Sequence, residues 1–194
     1  MSVMDPGVPR AGFVLVGGKS SRMGRDKATL PFRGGTLLEH VAAAVAEAAG
    51  SVTLVGPPER YRDLGLPAIA DGQSGMGPLA GIHTALNASP AAWNLIVACD
   101  LPALSGPFLR MLMEAAEKSC SDCLIPTNPS GHPEPLCAAY HSRCRETIGE
   151  ALRRDIRKVT EGLAGLKVIS WNVPEASWFR NVNTPEDWTT YLNG

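Results

Sequence analysis

The sequence contains no long hydrophobic run. None of its apolar stretches approaches the roughly 20 residues that a helix needs to cross a bilayer, although 44% of the 194 residues are hydrophobic. Residues 1–10 include two prolines and no apolar segment of the kind found in signal peptides. We therefore expect a cytoplasmic protein with no membrane partner, in which residues 1–10 form a flexible leader and residues 11–194 a single domain.

Neither sign of charge dominates the sequence. It has 18 lysines and arginines against 19 aspartates and glutamates, which gives a net charge of −1 and a sequence pI of about 6.4. Because nucleic-acid-binding domains usually carry a broad basic surface, no nucleic acid partner is expected. Charged residues make up 19% of the chain and the mean hydropathy is −0.02, values typical of a globular domain with a proper core.

Cysteine is scarce and odd in number. The five cysteines do not form the dense framework of a small secreted domain, and they fit a reducing compartment. Cys120 and Cys123 make one C-x-x-C pair, which Cys137 and Cys144 could complete as a zinc site. There is no second C-x-x-C pair, however, and Cys137 stands in an apolar, strand-like run where a thiol is a small core residue. We interpret the cysteines as structural and predict no zinc.

Residues 13–27 stand out against this even background. The apolar run from Phe13 to Val16 predicts a buried strand, which Gly17 and Gly18 end. Glycines after a strand let backbone N–H groups approach a ligand, and open α/β sheets bind ligands at that end. The loop is suited to a polyanion such as a nucleoside triphosphate, and an ordinary loop with a solvated basic surface is the alternative. Against one acid, Asp26, residues 19–33 contain Lys19, Arg22, Arg25, Lys27 and Arg33.

A P-loop is a second alternative for the same residues. Gly18, Lys19 and Ser20 copy the end of that motif. The glycine that should open the motif would fall on Phe13, however, and the four residues meant to form its loop are strand residues. We therefore predict a phosphate-binding loop of a different kind.

Strand and helix patterns alternate along the rest of the chain. Thr36 can cap a helix that Gly50 ends. Such alternation predicts the α/β class, with a mainly parallel sheet between two layers of helices and its ligand loops on one rim. One antiparallel strand is expected late in the chain. Strands are predicted at residues 51–56, 66–70, 93–99, 123–126, 134–140 and 167–171, and helices at 37–49, 57–64, 78–88, 107–118 and 152–165, with a last one after Thr184.

Two aspartates stand at the ends of predicted strands. Asp71 opens a glycine-rich loop, and Gly77 in this loop precedes a helix whose N-terminus can face an anion. The alternative is that the loop only connects the strand to the helix and binds nothing. Asp100 follows the strand at 93–99, and Pro102 then turns the chain away. A divalent cation that holds phosphates needs one or two carboxylates, so Asp100 is the predicted metal ligand, and a helix cap is the alternative.

Two asparagines near the end of the sequence are not explained by structure alone. Helix capping accounts for Thr184, Pro185 and Asp187. Asn181 and Asn183, two residues apart, project to one side of an extended segment, where amides can bind a substrate or a metal-bound water.

Residues 13–27 resemble the signature of the molybdenum cofactor guanylyltransferases. Val16 departs from the pattern, which usually has alanine there, and Val55-Gly56 departs at the end of the second predicted strand, where asparagine is frequent. The resemblance implies a three-layer α/β/α Rossmann-like nucleotidyltransferase fold, of the nucleotide-diphospho-sugar transferase type, over residues 11–194. The resemblance extends through residues 77–81, 100–102, 132–136 and 181–185. Within the signature itself, the matching residues are Leu15, Gly17, Gly18, Ser20, Arg22, Met23, Gly24, Asp26 and Lys27.

The resemblance also implies an activity and a set of site residues. The reaction would transfer GMP from GTP to molybdopterin and release pyrophosphate, with Mg²⁺ as cofactor. GTP and molybdopterin would be the small-molecule substrates, and transient contacts with molybdenum cofactor biosynthesis proteins and recipient apoenzymes are expected. By this resemblance the catalytic residues would be Lys27, Arg22 and Asp100, with Asp100 the metal ligand; the nucleotide-binding residues Leu15, Val16, Gly17, Gly18, Lys27, Asp71, Gly77 and Asp100; and the acceptor-side residues Asn181, Asn183 and His132.

Three other functions stay open from the sequence. Two are related enzymes, a cytidylyltransferase of the same cofactor and a sugar-phosphate nucleotidyltransferase. Those relatives usually carry Ala-Ala-Gly where this chain has Val16, Gly17 and Gly18, and the smaller glycine leaves room for a purine. The third is a GTP-binding regulator that has lost catalysis, which would bind GTP without releasing pyrophosphate.

Overall fold

A seven-stranded sheet forms the centre of the molecule. The computed structural model describes residues 9–17, 26–72 and 75–193. The sheet strands are β1 (Arg10–Leu15), β4 (Thr53–Val55), β5 (Ala68–Ile69), β6 (Trp93–Ala98), β7 (Cys123–Thr127), β8 (Cys137–His141) and β9 (Val168–Asn172), and a separate ribbon pairs β2 (Pro31–Phe32) with β3 (Gly35–Thr36). Across the sheet the order is β5-β4-β1-β6-β8-β7-β9. All neighbours are parallel except β8, which is antiparallel to both β6 and β7. The predicted mainly parallel sheet, with one late antiparallel strand, is confirmed.

Helices cover both faces of this sheet. They are α1 (Leu37–Ala49), α2 (Pro78–Ala88), α3 (Gly106–Lys118), α4 (Cys144–Arg153), α5 (Val159–Gly162) and α6 (Pro185–Asn193). One hydrophobic core joins α1 and α3 to one face, and a second joins α2, α4 and α5 to the other. Along β6, Leu95 and Val97 enter the first core and Ile96 the second, as the two-residue period of a strand requires. The three-layer α/β arrangement is confirmed.

Helix α1 has the boundaries that its sequence predicts. The Thr36 hydroxyl accepts a hydrogen bond from the Glu39 backbone N–H, and the Glu39 carboxylate accepts one from the Thr36 N–H at 2.7 Å. This reciprocal pair satisfies two N–H groups that a helix end leaves free. Gly50 ends the helix with a φ of 76°, a left-handed conformation that glycine adopts without a Cβ clash.

The predicted helix at residues 152–165 is wrong. The structure instead has α4, which begins at Cys144, and the short α5. Helix α4 stops at Arg153 because Asp155 has a φ of 58°, which ends helical geometry. The helix predicted at 57–64 is likewise two short 3₁₀ turns, Pro58–Arg60 and Arg62–Leu64. Within the part of the chain that the structure describes, no helix combines the length and apolar character needed to cross a bilayer.

The last helix, α6, packs on the small ribbon. The Phe32 ring lies 5.6 Å from the Trp188 ring and 6.0 Å from the Tyr191 ring, between centroids. The Asp187 carboxylate accepts hydrogen bonds from the backbone N–H groups of Asn183 and Thr184 at 2.9 and 2.8 Å. The predicted capping of this helix is therefore confirmed, and it anchors residues 181–184 beside the ribbon.

Four parallel strands end at one edge of the sheet. Strands β1, β4, β5 and β6 run in the same direction, so their C-terminal loops lie together. Gly17 follows β1, Gly56 follows β4, Asp71 follows β5 by two residues, and Asp100 follows β6 by two. This edge carries most of the predicted site residues that the structure describes.

Candidate active site

Three predicted site residues meet at the end of β6. The Lys27 Nζ lies 3.7 Å from the Asp100 Oδ2 and donates a 2.5 Å hydrogen bond to the Asn183 Oδ1. The side chains of Lys27 and Asp100 are 17% and 22% exposed, so a ligand can reach both while bulk water is partly excluded. The structure thus brings together residues from the first loop, a central strand and the C-terminal segment, as expected from their sequence positions.

The Asp100 carboxyl group lies in a setting that disfavours its own charge. Burial raises its pKa, and the positive charge of Lys27 opposes this by lowering it. The backbone is fixed as well, because the Val182 N–H donates to the Asp100 carbonyl at 3.0 Å. Among residues 9–17, 26–72 and 75–193, Lys27 is the one cation within 4 Å of this carboxylate, and a partly buried carboxylate gains from further positive charge.

Lys27 is positioned by two residues that sequence reasoning did not assign to the site. The Asp26 carboxylate caps the 3₁₀ turn Lys27–Thr29 by accepting from the Ala28 N–H at 3.1 Å. The Tyr61 hydroxyl, 2% exposed as a residue, donates to the other oxygen of Asp26 at 2.7 Å. The Tyr61 contact spans 35 residues, and nothing in the local pattern around residues 57–64 indicates it.

The described part of the first loop turns tightly after β1. Gly17 has a φ of 92°, and a Cβ there would lie 2.7 Å from the Pro57 Cδ, so only glycine fits. The Leu15 carbonyl already accepts from the Cys99 N–H at 3.3 Å, which leaves one lone pair for a ligand. Gly18 and Arg22, two further predicted site residues, lie outside the described residues, and their roles stay predictions.

Val16 explains the glycine at the end of β4. A Cβ at Gly56 would lie 2.5 Å from the Val16 carbonyl oxygen and 2.6 Å from its Cγ2. Any side chain at position 56 would therefore displace the loop backbone or the valine. The two departures from the family pattern, at positions 16 and 56, are in contact and accommodate one another.

On the β5 side, Asp71 contacts the middle of α2. Its Oδ1 accepts from the Thr84 hydroxyl at 3.2 Å, and the Gly72 N–H donates to that hydroxyl at 3.4 Å. Gly77 has a φ of 83° and precedes Pro78, the first residue of α2. The predicted helix start is confirmed, and it lies on the same rim as Lys27; nucleotide contacts of Asp71 and Gly77 stay predictions.

The predicted acceptor side is an ordered turn. The Asn128 Oδ1 accepts from the backbone N–H groups of Ser130 and His132, both at 3.0 Å, while the His132 side chain is exposed. Asn181 is also exposed. These two residues border the cleft without joining the Lys27, Asp100 and Asn183 cluster, so their roles stay predictions.

Glu134 is a further residue that the sequence analysis did not assign to the site and on which the charge of Asp100 acts. Its carboxylate accepts a 3.4 Å hydrogen bond from the Asn128 side chain. Burial raises its pKa, His132 lowers it and the negative charge of Asp100 raises it. Its position in a Pro-Glu-Pro run gave no pattern that predicts this.

The site fits a magnesium ion that is held mainly by its substrates. The described residues include no group of three or more histidines, cysteines and acids able to hold a metal by themselves. Mg²⁺ commonly takes one or two carboxylates and completes its shell with phosphate oxygens and water. Asp100, buried and short of positive charge, matches this donor chemistry, so it would hold the ion.

Comparisons with known proteins agree with this geometry. Residues 12–167 match the family model described as MobA-like NTP transferase domain. A Bacillus cereus protein named probable molybdenum cofactor guanylyltransferase is 35% identical over 188 residues, covering 92% of this chain and 93% of that protein. A Bacillus mycoides protein of the same name is 33% identical over the same shares.

Solved structures give the same result for the fold. The Archaeoglobus fulgidus molybdopterin-guanine dinucleotide biosynthesis protein A is 29% identical and superposes with a TM-score of 0.80, covering 93% of this chain and 95% of that one. A Thermus thermophilus 2-C-methyl-D-erythritol 4-phosphate cytidylyltransferase, 20% identical, has a TM-score of 0.69 over 93% and 96%, a similarity of fold alone. The chain thus belongs to the MobA-like NTP transferase family, a family of nucleotidyltransferases, and its resemblance to the molybdenum cofactor guanylyltransferases is confirmed.

Proposed function

We propose that this protein transfers GMP from GTP to the terminal phosphate of molybdopterin, forming molybdopterin guanine dinucleotide and pyrophosphate. The observation that carries the proposal is the contact of Lys27 with both Asp100 and Asn183 at the strand edge. The names of the relatives support the guanine and molybdopterin specificity. The proposal includes a requirement for Mg²⁺ at Asp100.

The main barrier in this reaction is repulsion between anions. An acceptor phosphate must approach a triphosphate, so the site has to neutralise both and align them. Lys27, fixed by its bond to Asn183, is placed to contact a phosphate oxygen between the two substrates. A bound Mg²⁺ supplies further positive charge to the triphosphate and its pyrophosphate leaving group.

The bond changes need no protein nucleophile. An acceptor phosphate oxygen forms a bond to the α-phosphorus of GTP while the bond from that phosphorus to the β-phosphate oxygen breaks, and pyrophosphate leaves with the electron pair. The protein contributes position and electrostatics, which act most strongly in a site where water is partly excluded. Asn183 keeps the Lys27 ammonium directed to the cleft throughout.

Guanine selection would rest on backbone carbonyl acceptors after β1. Gly17 turns there with a φ of 92°, and its bare backbone lets a purine base approach the main chain. The remaining lone pair of the Leu15 carbonyl can accept from the guanine N1–H or amino group, and adenine has no N1 donor. Loss of such a bond in a dry site lowers turnover by about 10²-fold.

Pyrophosphate release with molybdopterin, Mg²⁺ and each of the four nucleoside triphosphates tests the proposal. GTP should be preferred over ATP by about 10²-fold or more, and CTP should also be a poor substrate. A preference for CTP would assign the chain to cytidylyl transfer. GTP binding without pyrophosphate release would instead indicate a regulator that has lost catalysis.

A further inference from the structure

A second cavity lies at the edge of the sheet opposite Asp100. It has a volume of about 560 Å³ and is lined by His83 on α2 and by Arg143, Arg145, Glu146, Gly149 and Arg153 on and just before α4. We call it the arginine cavity. Strand β8 ends at His141, which pairs with Trp93 at the start of β6, whereas Asp100 follows the end of β6. The two sites are thus separated by about 20 Å, the span of six strand residues.

Arginine predominates among the residues that line the arginine cavity, although Asp122 pairs with Arg143 beside it. Among the six residues named above, three arginines face a single carboxylate, that of Glu146. The side chains of Arg153 and Glu150 are 69% and 64% exposed and lie 3.9 Å apart, so their ion pair is weak. The arginine charges also act on His83. Its pKa is lowered by burial and then by the positive charges of Arg153 and Arg145.

Arg145 has a buried donor that the protein leaves unused. Its Nη2 donates to the Ser89 carbonyl at 3.3 Å, which holds the guanidinium in place. Its Nε is buried, and no residue among 9–17, 26–72 and 75–193 accepts a hydrogen bond from it. Because this Nε is shielded from solvent, a ligand in the arginine cavity would have to bind the Nη groups of the guanidinium instead.

The other cavity walls are held rigidly. Arg143 donates from its Nε to the Asp122 carboxylate and from its Nη2 to the Ser121 carbonyl, both at 2.9 Å. A Cβ at Gly149 would lie 2.8 Å from the His83 Nε2 and 3.6 Å from an Arg153 nitrogen. The glycine therefore lets α4 approach α2 without pushing the imidazole into the cavity.

We propose that the arginine cavity binds a small phosphate-bearing anion, such as pyrophosphate or a nucleoside triphosphate, separately from the candidate active site. The planar fork of arginine matches phosphate oxygens in two-point hydrogen bonds. The cavity volume lies within the range of small-molecule sites. The anion would accept hydrogen bonds from the Nη groups of Arg145 and Arg153, and its charge would offset theirs.

Histidine NMR of the whole protein tests this proposal. The chain has four histidines, of which His83 lines the arginine cavity and His132 borders the candidate active site. In protein labelled with ¹⁵N-histidine and free of divalent cations, addition of pyrophosphate should shift the His83 resonances, assigned with a His83→Gln variant. Parallel titrations with GTP and with inorganic phosphate identify the phosphate compound that binds. A His83 resonance unmoved by millimolar pyrophosphate and GTP would overturn the proposal.

Three arginine variants localise the effect. Arg145→Gln should raise the pyrophosphate concentration for the half-maximal His83 shift by about tenfold, because one charge-assisted contact is lost. Arg153→Gln changes an exposed side chain, so it should leave the fold intact, and it should also raise this concentration. Arg154→Gln is the matched control, since this exposed arginine lies next in the chain but does not line the cavity. Equal effects of all three would show nonspecific charge attraction and contradict a built site.

Discussion

The carboxyl group of Asp100 lies where its charge is costly without a nearby cation. Burial raises its pKa, and Lys27 provides only partial compensation at 3.7 Å. A ligand that brings positive charge, as a metal with its nucleotide would, therefore gains affinity from the carboxylate. The same reasoning predicts that replacing this carboxylate by a neutral side chain of equal size would preserve the fold but lower the activity.

Asp100→Asn should therefore lower turnover by at least about 10²-fold, the effect of removing one preorganised electrostatic group. The melting temperature should change little, because the substitution removes no core volume. Pyrophosphate release with GTP, molybdopterin and Mg²⁺ measures the first effect and circular dichroism the second. Asp63→Asn, at an exposed position, is the matched control. Near-normal turnover of the Asp100 variant would show that the metal assignment is wrong.

Lys27→Ala should reduce the rate at saturating nucleotide by roughly 10²–10³-fold, since it removes the cation that bridges Asp100 and Asn183. Lys27→Arg should recover only part of this, because the guanidinium cannot reproduce a 2.5 Å contact of the ammonium with the Asn183 oxygen. The measurement is kcat with each variant. An unchanged kcat in the alanine variant would place Lys27 outside the chemistry.

Tyr61→Phe tests how Lys27 is positioned. The substitution removes the hydroxyl that donates to Asp26 at 2.7 Å and leaves the buried ring in place. We expect roughly a tenfold loss in kcat through a less fixed Lys27, with KM for GTP almost unchanged. A loss of stability without any change in kcat would limit Tyr61 to a structural role.

At the scale of single elements, the sequence correctly predicted the ends of a helix where the capping residues lie next to that helix. Thr36 and Gly50 lie next to α1, and they predicted both of its ends. Helix α4 was missed because Arg143 precedes it without a side-chain cap, and the arginine is instead bonded to Asp122 on another segment. The positive φ of Asp155 that ends α4 is tolerated by aspartate but is not required by it.

Asp122 connects the segments that precede β7, α4 and β9, so its substitution tests how much these connections stabilise the fold. Its carboxylate accepts from the Lys167 N–H before β9 and from the Arg143 Nε before α4, both at 2.9 Å. The backbone bond from Lys167 and then Arg143 hold its pKa below the usual value. Because the folded pKa is lowered, the carboxylate stabilises the fold above its unfolded pKa, and this contribution is lost as the pH falls through the folded value.

Asp122→Asn should thus lower the free energy of unfolding by about 1 kcal/mol at pH 7, a value discounted for the partial exposure of the group. The difference from the native protein should shrink below about pH 4, where the unfolded aspartate is protonated. Urea unfolding at pH 7 and at pH 3 provides the comparison, with Asp63→Asn again as control. The same deficit at both pH values would exclude the charge as its cause.

At the scale of the whole molecule, the buried cysteines lie in surroundings that disfavour the thiolate form, which a zinc ion would need. Cys137 is fully buried on β8, and burial raises its pKa. The hydrogen bond with Cys144 and burial raise the pKa of Cys123. Cysteines bind zinc as thiolates, so metal analysis of the purified protein should find no stoichiometric zinc. One zinc per chain that is lost on replacing Cys120 and Cys123 would contradict this.

The sequence predicted the class of fold and the residues at the strand ends, because both depend on short-range patterns. Asp100 is a carboxylate directly after an apolar strand, and Asn183 stands next to a helix cap. The contributions of Tyr61 and Glu134 could not be predicted in this way. Tyr61 contacts Asp26 from 35 residues away, and the charge of Asp100 acts on Glu134 although the two residues lie 34 positions apart in the chain.

The bond between Lys27 and Asn183 joins positions 156 residues apart, and this has a consequence for protein synthesis. Domains fold while the chain emerges from the ribosome, at about 5–20 residues per second. Strands β1 to β6 can pair before residues 181–183 have been translated, but the ammonium of Lys27 then has no amide to hold it. A nascent chain that has not yet reached Asn183 therefore lacks one of the three groups that meet at the candidate active site, where Lys27 lies between Asp100 and Asn183.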